Sequence, residues 1–88
     1  MNNERRKAIA AVTQELRGLV DIVDSIRTQI EDLRDEEQEY FDNMPESLQG
    51  GERGDAAQDA INALDSAIGD LEALDFDSIE GALEYAQA

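Results

Sequence analysis

The sequence contains no cysteine and no histidine among its 88 residues. Without cysteine there are neither disulfides nor thiolate metal ligands, and without histidine the usual general base and the commonest transition-metal ligand are missing. Tryptophan is absent too, proline occurs once, and no run approaches the roughly 18 apolar residues of a membrane-spanning helix. We therefore expect a soluble cytoplasmic protein that does not insert into a membrane.

The polar residues that remain do not form a recognisable chemical motif. The glycine-rich segment GGERG, residues 50–54, lacks the lysine and hydroxyl of a phosphate-binding loop. The acidic segment DFDSIEGALE, residues 75–84, departs from a calcium-binding loop because its fifth position is Ile79 and its glycine comes one position late. The sequence predicts no catalytic residues, no cofactor, no metal site and no enzymatic activity.

The formal net charge of −15 is concentrated in one part of the chain. Residues 1–34 carry six basic and six acidic side chains, whereas residues 35–88 carry sixteen acidic side chains and one basic residue, Arg53. Such a field repels nucleic acid and anionic membranes and attracts basic protein surfaces. It is also typical of a solvated surface that maintains solubility.

Apolar residues at alternating spacings of three and four predict a long helix from about residue 3 to residue 40. The predicted apolar seam consists of Ile9, Val12, Leu16, Leu19, Val23, Ile26, Ile30 and Leu33. Asn2 or Asn3 is expected to cap its start. Val20 and Ile22 flank the seam and widen the apolar stripe, which indicates contact with more than one helix.

The same spacing in Ala57, Ile61, Leu64, Ile68 and Leu71 predicts a second helix, from about residue 55 to residue 86. The apolar phase slips after Leu71, which favours one kinked helix. Asp75, Asp77 and Ser78 are alternative helix caps, so a break near residues 75–78 remains open.

Two helices joined by about fourteen residues predict a single all-α domain over residues 1–88, an antiparallel helical hairpin of coiled-coil type. One hairpin has a small core, and Val20 and Ile22 lie beside it. We therefore expect a homodimer that forms a four-helix bundle.

The connecting segment, about residues 41–54, is expected to be a structured cap. Pro45 favours a helix start, so PESLQGG is read as one helical turn ended by Gly50 and Gly51, and Asp55 with Gln58 as a capping box for the next helix. The residues expected to cap the open end of the hairpin are Tyr40, Phe41, Asn43, Met44, Pro45 and Leu48.

This segment carries a resemblance to known proteins. It resembles an uncharacterised family of small acidic helical phage and prophage proteins, which carry D-N-M-P-E-x-L-Q, then a serine-glutamate-arginine-glycine step, then an acidic helix rich in alanine and isoleucine. The matching residues are Asp42, Asn43, Met44, Pro45, Glu46, Leu48, Gln49, Glu52, Arg53 and Gly54. Gly51 stands where the family has serine. The resemblance implies a helical hairpin of phage origin, in a bacterial host, and it transfers no catalytic or binding residues.

Two functional classes follow. The first is an inhibitor that binds a basic host protein surface by mimicking nucleic acid, and its candidate binding residues are Asp55, Asp59, Asp65, Asp70 and Glu72. The second is a structural or assembly module whose heptad faces pair with themselves or with another coiled coil. A third, a sponge for signalling nucleotides, is disfavoured by the negative charge.

Overall fold

The computed structural model describes residues 2–88, and in this range it contains α-helices and no β-strand. The helices are α1 (Asn3–Asp42), α2 (Glu46–Gln49), α3 (Glu52–Glu72) and α4 (Phe76–Gln87). The predicted all-α class is confirmed. α1 ends two residues later than predicted, and Asn2 caps its start because the Asn2 side-chain oxygen accepts a hydrogen bond of 2.8 Å from the Arg5 amide.

The chain divides into two compact units, and the larger one covers Ile26–Ala73. Within this unit Arg34 of α1 lies 3.1 Å from Asp65 of α3, and Arg27 lies 4.0 Å from Glu72. Residue numbers therefore fall along α1 as they rise along α3, so the two helices run in opposite directions. The second part of α1 and α3 form an antiparallel helical hairpin, as the sequence predicts.

The other unit combines residues 2–25 with Leu74–Ala88. Arg17 of α1 lies 2.8 Å from Glu80 of α4. Near the start of α1, the Gln87 side-chain amide donates a hydrogen bond of 3.2 Å to the Arg6 carbonyl. The first part of α1 and α4 thus also run antiparallel to each other.

The prediction of one kinked second helix is wrong, and the alternative break is confirmed. α3 ends at Glu72 and α4 begins at Phe76. The Asp75 side chain accepts a hydrogen bond of 2.9 Å from the Ser78 amide, which satisfies one of the free amides at the start of α4. An aspartate that bonds a nearby amide competes with helical continuation, and this explains the interruption.

The predicted start of the second helix is also wrong. α3 begins at Glu52, three residues before Asp55, and the extended Gly51 precedes it without a side-chain cap. Asp55 lies inside the helix, where its amide donates to the Gly51 carbonyl at 2.9 Å, so the capping box with Gln58 does not form the start. The predicted single turn is confirmed as α2.

Only part of the predicted apolar seam of α1 faces the neighbouring helices. Ile9, Leu16, Val23 and Ile30 are half-buried, but the alternate seam positions are exposed. The residue that follows each exposed seam position in the sequence faces inward in its place. This inner row consists of Thr13, which is buried, and of the half-buried Val20, Arg27, Arg34 and Phe41.

Candidate interaction surfaces

The connection between α1 and α3 is held by hydrogen bonds at both ends of α2. The Gln49 side-chain amide donates to the Phe41 carbonyl at 3.1 Å, which occupies a free acceptor at the end of α1. The Leu48 and Gln49 amides donate to the Pro45 carbonyl at 2.8 and 3.1 Å. The backbone of this turn is therefore fixed in place.

Gly54 of α3 packs directly against the end of α2 and is buried. A methyl group at this position would overlap the Gln49 carbonyl and lie 2.7 Å from the Gln49 Cα atom. Since those are backbone atoms, they cannot move aside as a flexible side chain does. The close approach of α2 and α3 requires a residue without a Cβ atom here.

The residues predicted to cap the hairpin are buried to different extents. Met44 is buried and Phe41 is half-buried, so these two fill the turn. Tyr40 and Leu48 remain about half exposed, which corrects their predicted role in the apolar plug. Pro45 directly precedes α2 as expected, and Asn43 and Pro45 are exposed.

The five acidic residues predicted on the second helix are all exposed, and they divide into two groups. Asp65 and Glu72 turn toward α1, where they contact Arg34 and Arg27. Asp55, Asp59 and Asp70 form no ion pair within residues 2–88. We call Asp55, Asp59 and Asp70 the acidic face.

The spacing of the acidic face places its members on one side of α3. At about 100° per residue, Asp59 and Asp70 lie within about 60° of Asp55 around the helix axis. They extend over fifteen residues, or about 22 Å. Their carboxylates point to solvent from a rigid element.

The arginines of α1 neutralise the acidic residues next to them and leave the acidic face uncompensated. The hydrogen bond to Asp65, and to a lesser extent the one to Asp35, raises the pKa of Arg34. Arg17 binds Glu80 at 2.8 Å and approaches Glu84 at 3.9 Å. These pairs are partly exposed, so each contributes little to stability, but each removes one site at which a partner's cation could bind.

An outer row of large apolar side chains runs along α1, about 100° around the helix axis from the inner row. In residues 2–25 it comprises Val12, Leu19 and Ile22, which are 51%, 46% and 58% exposed. In residues 26–73 it comprises Ile26, Leu33 and Tyr40, which are 42%, 54% and 51% exposed. All but Ile22 are seven residues apart, and Ile22 lies beside them one turn from Leu19 and Ile26.

The outer row of α1 is more apolar than the inner row. Three of the five inner-row residues, Thr13, Arg27 and Arg34, are polar or charged, whereas every outer-row residue is apolar or aromatic. Thr13 satisfies its hydroxyl by donating to the Ile9 carbonyl at 3.0 Å. The long stems of the arginines allow them to cover the helix contact while their guanidinium groups reach Asp65 and Glu72.

The sequence pattern identified neither Gly54 as a packing residue nor the outer row as a separate surface. Gly54 appeared only as part of the glutamate-arginine-glycine match, and no spacing rule marks a close approach of two helices. The outer row was detectable as alternate members of the predicted seam, but spacing alone does not show which side of a helix its neighbour occupies.

No pocket occurs in the part of the chain that the structure describes. Within residues 2–88, no group of three or more acidic side chains converges as metal ligands, and Asp75 and Glu80 of the acidic 75–84 segment bond to Ser78 and Arg17. None of the described helices is both long enough and apolar enough to cross a membrane.

In comparisons with known proteins, no family model, curated protein or solved structure matches this sequence.

Proposed function

We propose that this chain is a small, non-enzymatic phage or prophage accessory protein that binds a basic surface of a host protein in the bacterial cytoplasm. In this proposal it imitates nucleic acid electrostatically and inhibits a DNA-binding or defence protein. The phage origin rests on the D-N-M-P-E-x-L-Q resemblance. The binding mode rests on the acidic face.

The observation that carries the proposal is the exposure of Asp55, Asp59 and Asp70 on one side of α3 without a compensating cation in the described chain. Three carboxylates on a rigid helix form a line of negative charge, which is the property that a phosphate-binding protein surface recognises. The match is electrostatic first, because the spacing of helical carboxylates imitates duplex phosphates only loosely.

The charge distribution of the whole sequence also supports a basic protein partner. Sixteen acidic residues and one arginine in residues 35–88 repel nucleic acid itself, so the expected partner is a protein that normally binds nucleic acid. Long-range attraction accelerates the encounter of opposite charges and weakens as salt rises.

The test begins with capture of proteins from a bacterial lysate on the immobilised chain. We expect a partner that binds either duplex DNA or this chain but not both at once, so added duplex DNA should displace it. The same partner should elute at moderate salt. A captured protein that remains bound in high salt, or that duplex DNA does not displace, contradicts nucleic-acid mimicry.

The acidic face is then tested with the triple variant Asp55→Asn, Asp59→Asn and Asp70→Asn. Association with the captured partner at low salt is expected to slow by about tenfold, while dissociation changes less. The matched control removes three exposed acidic residues of α1 with Glu4→Gln, Asp21→Asn and Asp32→Asn. If the two triple variants slow association equally, total charge rather than the acidic face determines binding, and the assignment to α3 is wrong.

A further inference from the structure

The outer row of α1 remains about half exposed within the described chain. Its side chains remain between 42% and 58% exposed, although they are more apolar than the inner row that faces the neighbouring helices. Large apolar side chains that line up on one face mark a protein contact more often than scattered ones do. A heptad spacing specifically fits another helix, because seven residues return to the same side after two turns.

The charges of α1 indicate which helix fits. The first 34 residues are electrically balanced, and the surplus of five carboxylates on α1 lies beyond them, in its last eight residues, so most of the length of two α1 helices can approach without strong repulsion. The two ends of α1 also carry opposite charges. Arg5, Arg6 and Lys7 near its start form no ion pair with a carboxylate of residues 2–88, and the exposed Glu36 and Glu39 near its end form none with a described cation.

We propose that two copies of this chain pair through the outer rows of their α1 helices, in antiparallel orientation and with full overlap. Antiparallel pairing places the basic start of each α1 beside the acidic end of the other. A parallel pair would place Arg5, Arg6 and Lys7 beside their own copies, and Glu36 and Glu39 beside theirs, so both ends would repel. The pairing has a twofold axis and buries the same surface on both copies.

When two antiparallel α1 helices, each Asn3–Asp42, overlap along their full length, residue 3 of one copy lies opposite residue 42 of the other. Every opposed pair of residues then has numbers that add up to 45. Val12 then lies beside Leu33 of the second copy, and Leu19 beside Ile26. Ile22, the most exposed apolar side chain of α1, lies next to the twofold axis. Arg5 faces Tyr40 of the second copy, where a cation can rest on the aromatic ring close to Glu39.

This inference is independent of the acidic face, which lies on α3. The triple variant Asp55→Asn, Asp59→Asn and Asp70→Asn, designed to lose partner binding, is expected to dimerise at least as well as the parent. Failure of one proposal is therefore distinguishable from failure of the other.

The pairing surface is tested by sedimentation equilibrium of Ile22→Glu against the matched control Gln14→Glu. Both variants add one negative charge to an exposed position of α1, but Gln14 is not a member of the outer row and lies about 140° around the helix axis from Leu19. At moderate salt and high micromolar concentration the parent and Gln14→Glu are expected to have twice the 9.7 kDa chain mass. Ile22→Glu is expected to dimerise at least tenfold more weakly, and circular dichroism checks that it remains helical.

Orientation is tested by cross-linking, because the chain has no cysteine of its own. A mixture of Val12→Cys and Leu33→Cys chains should form a mixed disulfide under mild oxidation. Leu33→Cys alone should not, because antiparallel pairing separates the two cysteines by about 30 Å, far beyond the roughly 7 Å that a disulfide allows. A parent that sediments only as a 9.7 kDa species overturns the pairing, and a disulfide between two Leu33→Cys chains overturns its antiparallel orientation.

Discussion

At the scale of single residues, Gly54 has a more restrictive environment than any other glycine of the described chain. Around Gly18, Gly50, Gly69 and Gly81, no atom lies within 4 Å of the place that an added methyl group would occupy, and Gly51 has only an ordinary contact. Gly54 alone meets backbone atoms at close range, those of Gln49. The packing of α2 on α3 therefore depends on the absence of one methyl group.

We expect Gly54→Ala to lower the free energy of unfolding by about 2 kcal/mol or more, because the overlap forces the backbone of α2 or α3 to shift. Gly69→Ala, in the same helix but in open space, should raise it by about 0.5–1 kcal/mol, since alanine restricts the unfolded chain and favours helix. Urea unfolding followed by circular dichroism measures both changes. Equal effects of the two substitutions would show that Gly54 is not a site of close packing.

At the scale of elements, the start of α4 depends on one side chain. Asp75 accepts the Ser78 amide at 2.9 Å, and it separates two helices that the apolar pattern joins into one. Asp75→Ala removes this cap and should destabilise the unit that contains α4 by about 0.5–2 kcal/mol, whereas Asp75→Asn retains a capping oxygen and should cost much less. Amide hydrogen exchange at Ser78 reports the difference, and identical exchange in the two variants would contradict the capping role.

The all-α class, the long first helix and the antiparallel arrangement could be predicted from the sequence because heptad spacing leaves few alternatives, whereas the start of α3 and the start of α4 could not. The side of α1 that faces its neighbours could not, because Ile9, Leu16, Val23 and Ile30 lie between the outer and inner rows and their spacing fits packing toward either one. In the structure the inner row includes Arg27 and Arg34, whose ion pairs with α3 exist only once the helices are placed. The acidic residues of α3 were predicted correctly to lie off its apolar seam, but the pairing of Asp65 and Glu72 again depends on packing.

At the scale of the whole molecule, charge repulsion opposes folding. Twenty-two acidic residues face seven basic ones, and the described ion pairs involve only Arg17, Arg27 and Arg34. Salt screens both the attraction within those exposed pairs and the repulsion among the surplus carboxylates. Because the repulsive pairs are far more numerous, the net effect of salt on stability should be favourable.

We therefore expect the melting temperature to rise by about 4–8 °C between 10 mM and 500 mM sodium chloride, which corresponds to about 1 kcal/mol in a domain of this size. Measurements at low micromolar concentration limit the contribution of self-association. The triple variant Asp55→Asn, Asp59→Asn and Asp70→Asn should show a smaller rise, because it carries less surplus charge. A melting temperature that falls with salt would mean that the arginine pairs outweigh the repulsion.

The sequence distances within the two units have a consequence for the order of folding during synthesis. In residues 26–73 the contacts of Gln49 with Phe41 and of Arg34 with Asp65 join residues 8 and 31 positions apart. The contacts of Arg17 with Glu80 and of Gln87 with Arg6 span 63 and 81 positions. Short loops cost less entropy to close, and a ribosome releases the chain from its N-terminus. The named contacts within residues 26–73 can thus form before residues 74–88 emerge, whereas the named contacts of residues 2–25 must wait until residues 74–88 have been synthesised.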